Sequence, residues 1–63
     1  MNSQKLVELL LNGAYITEGK IFHPSFRKGF RVRPESITIY AAENKLHKIG
    51  MKLVEINGIK SAQ

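Results

Sequence analysis

Leu6, Val7, Leu9 and Leu10 place apolar residues at i, i+3 and i+4 near the start of the chain. That spacing draws a single stripe along a helix. The helix is expected over residues 3 to 12, with Ser3 as N-cap, because its hydroxyl can accept from an orphan amide of the first turn. Asn12-Gly13 stops it, since glycine adopts the left-handed conformation at C′. Ten residues form a poor helix alone in water, so the leucine stripe is read as a core face.

The period shortens after Gly13. Tyr15 to Phe22 is rich in β-favouring residues, with Glu18-Gly19 in its middle. Either a hairpin turning at Glu18-Gly19 or one strand with a glycine bulge fits. Pro24 moves His23 away from helical angles, and residues 23 to 29 are expected to form an exposed loop or a wide hairpin connection. Lys28 to Arg33 then alternates, with Phe30 and Val32 on one side and Gly29, Arg31 and Arg33 on the other. This is the pattern of a strand with one face on a core and one in water, which Arg27 joins if it is already extended. Phe22 and Phe30 are expected inside, and Phe26 exposed in the loop.

Residues 34 to 49 carry two patterns. Ile37-Thr38-Ile39-Tyr40 favours strand by composition, whereas Ile39, Ala42, Leu46 and Ile49 follow 3, 4 and 3 spacing, with Gly50 at a C′ position. The preferred reading is a helix from about Glu35 to Ile49, with a strand at 36–40 and a short helix as the alternative. Pro34 and Glu35 suit its first turn, and Lys45, His47 and Lys48 its negative end. Met51 to Ile56 reads as a strand and Asn57-Gly58 as the strongest turn signal in the chain. Ile59 and Lys60 are expected to pair back briefly, and Ser61-Ala62-Gln63 to fray. The sum is a single small domain over 1–63 of α+β class. It has two layers: an N-terminal helix, an antiparallel sheet of three or four short strands, a second helix at about 35–49, and a C-terminal strand.

Charge adds what periodicity cannot. The net charge is +5, and it has one source. Between Gly19 and Pro34 there is no acidic residue, while Lys20, Arg27, Lys28, Arg31 and Arg33 fall there, as do all three phenylalanines. Elsewhere Lys5, Lys45, Lys48, Lys52 and Lys60 are balanced by Glu8, Glu18, Glu35, Glu43 and Glu55. Guanidinium forks match phosphate oxygens, and neighbouring aromatic rings offer faces to exposed bases. The window therefore points to a non-enzymatic, nucleic-acid-binding regulatory or accessory protein, the partner being DNA or RNA. Arg27, Lys28, Arg31 and Arg33 would meet phosphates, Lys20 would lie at the edge, Phe26 would stack or wedge, and His23 would assist. A second reading uses the same stretch to dock on an acidic protein partner, as inhibitors and adaptors do.

Composition excludes several other classes. The chain has no cysteine and no aspartate, so disulfides and thiolate metal sites are absent, and no carboxylate pair suggests acid–base chemistry. His23 and His47 are too far apart in sequence, without supporting ligands, to imply a metal. No phosphate-binding glycine loop is present, and no cofactor is expected. Lys28-Gly29-Phe30 begins like the strand signature of RNA-recognition motifs, but Arg31 stands where glycine or alanine belongs, and no family is assigned. The apolar run at Leu6 to Leu11 is too short and too charged for a signal peptide or membrane span, which suggests a cytoplasmic protein. With 63 residues the core is small, so a homodimer is as reasonable as a compact monomer.

Overall fold

Asn2, rather than Ser3, caps the first helix. The computed structural model describes residues 2–23 and 36–63, and in it α1 runs from Ser3 to Leu11. The Asn2 side-chain oxygen accepts from the Lys5 amide at 2.8 Å. Asparagine caps as well as serine, and from this position its carboxamide reaches the third amide of the helix. At the other end Ala14 donates to the Leu9 carbonyl at 2.9 Å and Gly13 to Leu10 at 3.4 Å. Those two bonds form a Schellman motif, with Gly13 at φ +93°.

The second helix, α2, spans Ser36–Lys48, so the helical spacing prevails over the strand-like composition of residues 37–40. It closes as α1 does: Met51 donates to Leu46 at 2.9 Å, Gly50 to His47 at 3.1 Å, and Gly50 has φ +79°. Ile49, expected on the core stripe, is instead 58% exposed. It falls after the last helical turn, where the chain is already leaving the packed face.

Among the described residues four strands form the sheet: β1 (Tyr15–Thr17), β2 (Lys20–Phe22), β3 (Leu53–Ile56) and β4 (Ile59–Ala62). β1 and β2 are a two-residue hairpin, which settles the choice at Glu18-Gly19. Both turn residues have positive φ, +53° and +71°, the type I′ geometry whose twist matches the strands. Asn57-Gly58 repeats it, with +53° and +79°. The strand order is β2-β1-β4-β3, and every pairing is antiparallel. The central strands are thus the first and the last.

That position corrects the expectation for the C-terminus. Ser61 and Ala62 belong to β4, and Gln63 exchanges two 2.9 Å backbone bonds with Lys52. The core lies under one sheet face: Leu6, Val7 and Leu10 of α1, Ala42 and Leu46 of α2, and Ala14, Ile16 and Ile21 from the sheet side. Both helices therefore cover the same face, and the domain is a two-layer α+β sandwich. The expected basic strand at 28–33, with Phe30, Pro34 and Glu35, lies outside the described residues. No helix among the described residues is long and apolar enough to cross a membrane.

Candidate functional site

Register assigns every strand residue to one of the two sheet faces. Directly opposed residues in an antiparallel pair share a side, and successive residues alternate. Ile21 faces Ile16, Ile16 faces Lys60, and Lys60 faces Glu55, forming one row on the helix side. The outer side then carries two rows. One runs Phe22, Tyr15, Ser61, Val54, and the other Lys20, Thr17, Ile59, Ile56.

The sheet sorts its charges by this alternation. Glu55 and Lys60 stand side by side towards the helices, whereas Lys20 is the one charged strand residue among those described on the outer side. Glu8 and Glu43 belong to the helices and Glu18 to the first turn. Thus, among the described residues, no strand contributes a carboxylate to the outer side. None of the eight outer-row residues is buried, and Ile56 and Ile59 are 56% and 44% exposed.

Phe22, expected in the core, sits in an outer row. The I′ turn sets Thr17 against Lys20 and hence Tyr15 against Phe22, so Ile21 takes the inward place. The two rings stack with centroids 5.5 Å apart and planes 17° from parallel. Tyr15 itself escaped the sequence reading. Its signal was there, in the alternation of Tyr15 and Thr17 with Ile16, but it becomes legible only once the two-residue turn fixes the register.

Of the residues proposed from sequence, Lys20 begins β2 and faces outward, half-buried. His23 goes the other way. One step beyond the strand, its Nε2 lies 2.7 Å from the Asn12 carbonyl oxygen, which can only accept, so that nitrogen carries the proton. Lys20 and His23 are consequently not brought together on one side. Phe26, Arg27, Lys28, Arg31 and Arg33 lie outside the described residues.

Among the described residues, shallow clefts of about 210 Å³ each occur on the helix side. One lies between Ile39 and the Glu55–Lys60 pair; the other holds Glu43, His47 and Lys52. Both are smaller than the ~300–1,000 Å³ usual for a small-molecule site. Among the described residues no three His, Cys, Asp or Glu side chains gather as a metal site would require. Compared with known proteins, the chain matches no family model, no curated protein and no solved structure at a significant level.

Proposed function

We propose that this chain is a small, non-enzymatic, nucleic-acid-binding protein of regulatory or accessory role. The observation that carries the reading is the segregation of charge. Residues 19 to 34 hold five cations and no acid, and the first of those cations, Lys20, stands on an outer sheet side to which no described strand contributes a carboxylate. Arg27, Lys28, Arg31 and Arg33 contact phosphates in this reading, with Lys20 at the edge and Phe26 stacking or wedging. His23 assists by bracing the end of β2 against the C-cap of α1. The action is cytoplasmic.

A salt titration tests it. If five cations each neutralise one phosphate, log K against log salt falls with slope roughly −4.5 on duplex DNA and roughly −3.5 on a single strand. Binding of either that is indifferent to salt overturns the proposal.

The second reading, docking on an acidic protein, is favoured by one observation. The outer row that begins at Lys20 ends, beyond Thr17, in the exposed pair Ile59 and Ile56, an apolar anchor in the same row as a cation. A homodimer would cover the same two isoleucines. Co-purification separates the readings: a stoichiometric protein band that survives nuclease, with no shift of DNA or RNA, supports the protein partner.

A further inference from the structure

The arrangement around Tyr15 makes the class of nucleic acid more specific. On the β2 side its ring is stacked against Phe22. On the β4 side its direct neighbour is Ser61, one step along from the Ile16–Lys60 pair, and a serine is too short to cover a ring. Ser61 Oγ accepts from Gln63 Nε2 at 3.2 Å, and a base entering over Ser61 would displace that exposed carboxamide. The next side chain in the row is Val54, which faces Ser61 from β3. Strands lie about 4.8 Å apart, so Tyr15 and Val54 stand about 9.6 Å from each other across Ser61. A flat base needs contacts of about 3.5 Å on each of its sides, or roughly 7 Å in all. Strand spacing alone thus leaves room for one base between Tyr15 and Val54, with an aromatic ring on one side.

Lys20 lies diagonally from Tyr15, two residues along the partner strand, at the ~7–8 Å that long side chains span. Cation and ring are thus spaced to serve the backbone and the base of one strand. A base pair inside a duplex cannot enter that space, because both of its faces are already stacked; an unstacked base can.

Resting on the nucleic-acid reading above, we propose that the outer sheet face binds single-stranded nucleic acid, with one base stacked on Tyr15 over Ser61 and the adjoining phosphate held by Lys20. The shared chemistry is an exposed base on a phosphodiester strand, which RNA and DNA both supply.

The test is fluorescence anisotropy of the full chain with labelled single-stranded oligouridylate, oligothymidylate and a duplex, each on the order of twelve nucleotides. Tyr15→Leu retains apolar bulk but removes the aromatic face. It should weaken single-strand binding about five- to one-hundred-fold and leave duplex binding unchanged. Because the Tyr15–Phe22 stack also supports the hairpin, a second measurement does not depend on that variant. In Tyr40→Phe, which alters only a well-exposed helix residue, Tyr15 is the sole tyrosine, and its emission should be quenched by oligothymidylate or oligouridylate but not by duplex. Binding of either single strand more tightly than the duplex supports the proposal, and the tighter of the two names the preferred strand. Equal binding of single strand and duplex, with neither quenching nor an effect of Tyr15→Leu, overturns the stacking site and leaves the broader nucleic-acid reading standing. Failure of the wild-type chain to bind any of the three overturns both.

Discussion

Lys52 and Gln63 exchange backbone hydrogen bonds in both directions, each 2.9 Å long, and so extend the β3–β4 ladder one pair beyond Leu53 and Ala62. The tail is therefore part of the fold. Removal of residues 61–63 would delete those bonds, the Ser61–Val54 pairing and the contact of Ala62 with the core. At about 1 kcal/mol net per hydrogen bond, the two bonds alone contribute about 2 kcal/mol. In a domain of this size that corresponds to a fall of roughly 8 °C or more in melting temperature. Thermal unfolding followed by circular dichroism would show it, and an unchanged transition would mean that the tail frays.

The helix C-termini give a test of backbone conformation separated from packing. A Cβ placed at Gly50 meets nothing within 4 Å, yet φ is +79°. Gly50→Ala should then cost about 1 kcal/mol through conformation alone. D-Alanine, whose preferences are mirrored, should restore the melting temperature or raise it. The chain, at 63 residues, is short enough for chemical synthesis of that variant. If both enantiomers destabilise equally, crowding rather than handedness governs the site.

Where sequence was a good guide, the deciding interactions are local. Gly13 and Gly50 each close a Schellman motif within a few residues of the helix they end, and Asn57-Gly58 makes its turn with its immediate neighbours. α2 was legible for the same reason, because Ala42 and Leu46 recur at helical spacing and are fully buried. What escaped was set at long range. Ser61 and Ala62 are ordered because β4 lies between β3 and β1, and the Ile16–Lys60 pairing joins residues whose separation no local period records. Phe22 is turned outward by the hairpin register, which sets it against Tyr15 and leaves Ile21 the inward place. The site was only partly legible: the charge window stood out in composition, but Tyr15 and the outer row acquire meaning only from the register.

Two isoleucine- and leucine-sized truncations on α2 should separate core from surface. Leu46 is fully buried, and Ile37 is 72% exposed. Leu46→Ala is expected to lose about 2–5 kcal/mol, a large share of the roughly 3–9 kcal/mol that a domain of this length commands. Ile37→Ala should stay within about 0.5 kcal/mol of wild type. Urea titration of both reads the difference directly. A large loss from Ile37→Ala would reveal that its side chain is covered in solution, by a second copy for example, and the loss would then depend on protein concentration.

Charge neutralisation on opposite sheet faces tests where a polyanion sits. Lys20 points outward, while Lys60 shares the helix-side row with Glu55. Lys20→Gln should weaken oligonucleotide binding and make the slope of log K against log salt shallower by about 0.7–0.9, the share of one phosphate contact. Lys60→Gln removes the same formal charge from the chain and should leave the slope unchanged, because its ammonium is not on the contact face. Arg31→Gln with Arg33→Gln should reduce the slope by roughly twice the Lys20 effect if both guanidinium groups contact phosphates. Measured together at several salt concentrations, the variants distinguish a located site from a general attraction. Equal losses from Lys20→Gln and Lys60→Gln would show that net charge alone governs binding, and the outer face would then have no privileged role.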